Sequence, residues 1–104
     1  MLTPNNWHLI TYTDDVWTDI LTEPATIATF TLSNVTADSD VTVSVQLTDN
    51  LGAKLATILP PLVLGASTAN VIDVRSINVL VGQHIQVKAD VAGAEFLISG
   101  VVDA

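Results

Sequence analysis

From Val41 to Thr48 the chain alternates without a break. Val41, Val43, Val45 and Leu47 are aliphatic, and Thr42, Ser44, Gln46 and Thr48 between them are polar. A strand turns successive side chains to opposite faces, so this run predicts a half-buried β-strand with its hydroxyl and amide face in solvent. The same period recurs over Ala25–Asn34, where Ala28, Phe30 and Leu32 are expected on the inner face and Thr29, Thr31 and Ser33 on the outer. Ile85, Val87 and Ala89 mark another strand, and Glu95–Val102 the last. Asp15–Leu21 is ambiguous: Val16, Thr18 and Ile20 form one set, Trp17, Asp19 and Leu21 the other, and either could face inward.

Turn signals separate these runs. Asp49-Asn50-Leu51-Gly52 reads as a hairpin loop followed by a returning strand, Ala53–Leu59, because Asn and Gly accept the positive φ that such loops need. Val35–Asp40, Gly65-Ala66-Ser67, Gly82-Gln83 and Asp90–Gly93 are further turns, with short strands at Leu62–Leu64 and Ala69–Val74 and around Ile77 and Val79. Pro60-Pro61 has no N–H to give a ladder, which places that segment at a sheet edge or at a crossover between sheets. About eight strands at roughly 8–12-residue spacing, with no stretch of helical period, predict an all-β fold: a single small antiparallel β-sandwich, jelly-roll-like, with an immunoglobulin-like sandwich as the alternative. Residues 15–104 form this domain, and residues 1–14 read as an N-terminal arm or edge strand.

Composition narrows the function classes. Three basic residues, Lys54, Arg75 and Lys88, stand against eleven acidic ones, for a net charge of −8. Phosphate backbones are bound by clustered Lys and Arg, so nucleic acid is not an expected partner, and an anionic membrane surface is disfavoured for the same reason. The first positive charge is Lys54, so the start lacks the pattern of a signal peptide. The longest apolar run, Ile58–Leu64, is short for a bilayer and holds two prolines. The chain has no cysteine, hence no disulfide framework and no thiolate metal site. Hydrophobic residues make up 49% but charged residues only 13%, about half the usual share. A surface of hydroxyls and aliphatic groups suits a protein that works against neighbours.

Three stretches carry a family resemblance. Trp17-Thr18-Asp19-Ile20-Leu21 leads to Ala25–Thr36; Asp40–Val45 follows; and Ile77-Asn78-Val79-Leu80-Val81-Gly82-Gln83-His84-Ile85-Gln86-Val87-Lys88-Ala89 precedes Phe96-Leu97-Ile98-Ser99-Gly100. This order resembles small all-β virion structural proteins of tailed bacteriophages. The resemblance covers Trp17 to Gly100 and implies a structural role on a phage particle. The implied protein is a capsid decoration (cement) protein, or a tail, neck, baseplate or fibre component. It implies a homo-oligomer, commonly a trimer, that meets the major capsid protein or another virion protein. It also implies synthesis in the bacterial cytoplasm, and it brings no catalytic residues.

The residues themselves point to contact surfaces before chemistry. Trp7 and Tyr12 in the first segment, and Leu59, Pro60, Pro61 and Leu62 in the rigid apolar one, are the candidate interface residues, since exposed apolar patches and Trp mark contacts. No catalytic or cofactor site is expected. His8 and His84 are the two histidines, and zinc needs three or four converging ligands. Asp14-Asp15, Asp38-Ser39-Asp40 and Asp49-Asn50 could supply calcium only if loops converged; otherwise these residues stabilise turns. Asn34-Val35-Thr36 has the form of a glycosylation triplet. Trp7, Tyr12 and Trp17 leave a carbohydrate-binding module as a further alternative.

Overall fold

The computed structural model describes residues 2–12 and 15–103, apart from the side chains of residues 10–12, 74 and 75. Eight strands follow one another: β1 (Leu2–Tyr12), β2 (Thr18–Leu21), β3 (Ala25–Asn34), β4 (Val41–Asp49), β5 (Lys54–Leu64), β6 (Thr68–Val79), β7 (Gln83–Ala89) and β8 (Ala94–Asp103). They form two four-stranded antiparallel sheets, ordered β1-β8-β3-β6 and β2-β7-β4-β5. The pairs β4–β5, β3–β6, β2–β7 and β1–β8 are nested around the β4–β5 hairpin. A long hairpin rolled up on itself in this way is the jelly-roll order. Residues 2–12 are an edge strand of the sandwich, paired with β8 along their length.

The core lies between the sheets. Ile85, Val87 and Ala89 of β7 meet Val41, Val43 and Val45 of β4 in one sheet, facing Phe30 and Leu32 of β3 and Phe96 and Ile98 of β8 in the other, and all are buried. Each fully buried Val, Ile or Phe side chain contributes about 1.5–3 kcal/mol.

Three places with irregular sequence period prove to be irregular strands. In β3, Ile27 pairs with Gly100 and Thr29 with Ser99, so Ala28 is an extra residue. Its bulge moves the inner face from Ala25 and Ile27 to Phe30, Leu32 and Asn34. Ala28 is therefore exposed, correcting the inward placement expected from simple alternation; Ile27 takes the inner site. In β2, Asp19 pairs with Gln86 and Leu21 with Ile85, so Ile20 is the extra residue. Leu21 is buried and Ile20 also packs on the core, which resolves the ambiguous face. In β5, Val43 pairs with Leu62 and Val45 with Leu59, so Pro60 and Pro61 together oppose Ser44. Bulges at edges are where prolines fit a ladder. β5 thus runs through the prolines, where two separate strands were expected.

One end of the sandwich is tied by a buried amide. Asn34 Nδ2 donates to the carbonyls of Ser39 (2.7 Å) and Leu64 (2.9 Å), and its Oδ1 accepts from Thr36 N (2.9 Å). Thr36 Oγ1 lies 2.6 Å from Asn34 Oδ1 and 2.7 Å from Ser39 O, with one proton for either. Ser67 N donates to Thr36 O, and Val35 N to Gly93 O, both at 2.9 Å. The loops after β3, β5 and β7 are therefore held together. The triplet Asn34-Val35-Thr36 closes the fold: Asn34 is 2% exposed.

Asn34→Ala should cost about 2–3 kcal/mol, because it strands buried carbonyls that one amide now satisfies. Gly100→Ala should cost about 1–3 kcal/mol, since a Cβ there overlaps the Thr26 carbonyl oxygen in the adjacent strand. Denaturant midpoints at unchanged slope would measure both; a Gly100→Ala midpoint equal to the parent's would refute the close-packing account.

Candidate functional site

The outer face of the β2-β7-β4-β5 sheet holds the densest polar chemistry among the described residues. The strand period that sends Val43, Val45, Val87 and Ile85 inward sends Ser44, Gln46 and Thr48 of β4 and His84, Gln86 and Lys88 of β7 outward. Register aligns them: Ser44 with Lys88, Gln46 with Gln86, Thr48 with His84, and Gln86 with Asp19 of β2. Gln46 Nε2 donates to Gln86 Oε1 (2.9 Å), and Gln86 Nε2 donates to Asp19 Oδ1 (3.0 Å). His84 Nδ1 lies 3.4 Å from the other Asp19 oxygen. This row spans three strands.

The face expected to lie in open solvent is largely covered. Ser44 is 5%, Gln46 6% and Thr48 0% exposed. Around Ser44 and Gln46 the cover is local. Trp17, just before β2, sits beside this face with Lys88 Nζ 5.0 Å from its ring centroid, within range of a cation–π contact. Lys88 Nζ is also 3.7 Å from Asp15 Oδ1. On the other side the Pro60-Pro61 bulge rises opposite Ser44.

Between these walls lies a cleft of about 140 Å³. Trp17, Pro60 and Pro61 give it apolar sides, Ser44, Gln46 and Thr57 polar groups, and Lys54 and Lys88 positive charge. Sequence reasoning missed this grouping. Lys54 and Lys88 are far apart in sequence and meet here because β5 and β7 flank β4. The readable signal was that two of only three basic residues stand on strands neighbouring the same polar face.

The sequence-predicted residues fall at two separate edges. Trp7 lies on β1, opposite Ile98 of β8. It is half-buried against the core, and its Nε1–H donates to Glu23 Oε2 at 3.1 Å. Tyr12 ends β1, and its side chain lies outside the described residues. Leu59 and Leu62 of β5 pack against the core, while Pro60 and Pro61 are exposed. Because β1 neighbours β2 and β5 neighbours β6 across the sandwich, β1 and β5 stand at opposite sides.

Asp49 bonds the backbone of its own turn and Asp90 that of the neighbouring strand β4, while Asp38 accepts from the Ser39 hydroxyl and Asp15 pairs with Lys88. Asp49 Oδ1 accepts from Leu51 N (2.8 Å) and Ala53 N (2.9 Å), and Asp90 Oδ1 accepts from Thr42 N (2.8 Å). Asp14 lies outside the described residues. Among those described, no three His, Asp or Glu side chains converge as metal ligands.

No family model matches the chain, and no curated protein matches it. Among solved structures it is similar to a chain of the T13 IBDV viral particle, with 9% sequence identity and a TM-score of 0.41 over 92% of this chain. The matched region is 31% of the viral chain, so the present chain spans under a third of its length.

Trp7→Phe keeps ring packing and loses the bond to Glu23, and should cost about 1 kcal/mol. Trp7→Ala empties the site as well and should cost about 3 kcal/mol. Urea unfolding of the two variants checks the order; equal losses would mean the indole bond, and not the packing, is what matters.

Proposed function

We propose that this chain is a non-enzymatic structural protein of a virus particle, a decoration protein of a bacteriophage capsid. In this proposal it self-associates as a trimer and bridges capsid subunits. The observation that carries the reading is the state of its edge strands. β6, at 12 residues, is the longest strand, lies at the edge of its sheet and contains no proline; its ladder with β3 is regular over Thr68–Asp73 and slips between Asp73 and Ile77. Val71 on it is 68% exposed, and on the neighbouring edge strand β5 Leu55 is 51% and Val63 60% exposed. Long edges with exposed aliphatic groups invite pairing with another chain, and monomeric proteins blunt them.

The resemblance to small phage virion proteins supplies the identity of the assembly. A jelly roll suits the role mechanically, since its core is complete within one chain and its rims are left for neighbours. In the proposal Pro60, Pro61 and the β1 edge around Trp7 and Tyr12 add contacts with the major capsid protein. Stable contacts of this kind bury about 1,200–2,000 Å² in total, and repetition on a symmetric shell multiplies modest affinities.

Light scattering across protein concentration should give a closed trimer of about 33 kDa, three times the 11.0 kDa chain. Val71→Lys and Val63→Lys should leave the fold intact by circular dichroism and yield monomer. A parent chain that stays monomeric, and that fails to co-sediment with capsids, would overturn the proposal.

A further inference from the structure

We propose that the cleft beside Trp17 is a binding site for an acidic sugar, a pyranose ring carrying a carboxylate. The inference does not depend on the virion reading. It rests on three features of the cleft that occur together.

The first is charge. The chain carries −8 overall and has three basic residues, and two of them, Lys54 and Lys88, line this one cleft. Lys54 has no ion-pair partner among the described residues. Lys88 is shared with Asp15 at 3.7 Å. The site is thus a local positive focus on an acidic protein, and an anionic ligand gains there what it gains nowhere else on this sheet face.

The second is uncommitted polar groups at depth. Ser44, 5% exposed, makes no side-chain hydrogen bond among the described residues; Thr57 makes none either and is itself exposed. Gln46 uses its amide N–H on Gln86, which leaves its Oε1 as an acceptor. Two hydroxyls and an amide oxygen offer donors and acceptors together, the requirement of a ligand dense in hydroxyl groups. Trp17 and the two pyrrolidine rings supply apolar walls for the C–H face of a sugar ring.

The third is size and backbone. At about 140 Å³ the cleft is below the usual range for large ligands and suits a single ring. An acidic peptide would compete for the same charge, but an extended peptide binds a sheet edge through main-chain bonds. Pro60 and Pro61 remove two donors at that point of β5, so strand addition is poorest where the positive charge is.

The test titrates the full chain, in a Trp7→Phe background so that Trp17 alone reports, with D-galacturonate, D-galactose and tetra-aspartate at low salt. Galacturonate should shift Trp17 emission saturably and bind about two- to fivefold tighter than galactose, the worth of one exposed ion pair. Lys54→Gln, a change at an exposed position, should abolish that preference while leaving galactose binding in place. Ser44→Ala should weaken both sugars. No saturable response to either sugar, or tetra-aspartate binding as tightly as galacturonate, would overturn the inference. The solution mass, read on the same sample, tests the assembly reading separately, so either can fail alone.

Discussion

Everything in this fold follows from fitting a period-two chain between two sheets. A side chain at an inner position must land in the closed space between β1-β8-β3-β6 and β2-β7-β4-β5, and a one-residue slip would send a whole set of aliphatic groups into water. Where the sequence keeps strict alternation, as at Ile85, Val87 and Ala89, the strand is regular and every inner residue is buried. Where it does not, the backbone adds a residue. The bulges at Ile20, Ala28 and Pro60-Pro61 are the cost of keeping Leu21, Phe30 and Leu62 in contact with the core. Gly100, facing the β3 bulge, is a consequence: the extra residue brings the Thr26 carbonyl too close for any Cβ.

The sandwich closes differently at its end and at its sides. At the end carrying the loops after β3, β5 and β7, Asn34 exchanges hydrogen bonds with Thr36, Ser39 and Leu64, and so links a strand of one sheet to a strand of the other. A buried amide with its groups satisfied adds order without leaving a polar debt. On the β1 side, Trp7 packs inward and bonds Glu23 in the turn between β2 and β3. On the β5–β6 side the edges carry exposed Leu55, Val63 and Val71.

The proline bulge connects core, edge and cleft. Its two residues interrupt the β5 ladder, which blunts one half of that edge, and the same displacement raises the wall opposite Ser44. A single sequence feature therefore separates two kinds of surface. β6 keeps a regular ladder with β3 over Thr68–Asp73 and slips between Asp73 and Ile77, and the outer face of the β4 region becomes a recess with polar groups inside it.

The sequence alone determined the all-β class, about how many strands there are and most of the inner residues, because alternation and turn chemistry are local; that the segments either side of Pro60-Pro61, and those over Thr68–Val79, are single strands was not legible. The Val41–Asp49 strand, the Asp49–Gly52 hairpin and the exclusion of Pro60-Pro61 from a central strand were all legible from neighbours in the chain. Three further matters were not. Ala28 looks inward by counting, and only pairing with β8 reveals that the chain slips there. Ser44, Gln46 and Thr48 look solvent-exposed, and only the tertiary structure shows all three covered, with Trp17 and the bulged β5 flanking Ser44 and Gln46. Lys54 and Lys88 look scattered, and only the order β7-β4-β5 sets them on either side of one strand. In each case the deciding contact joins residues far apart in sequence, and such contacts are fixed by strand order and register, which a local pattern does not encode.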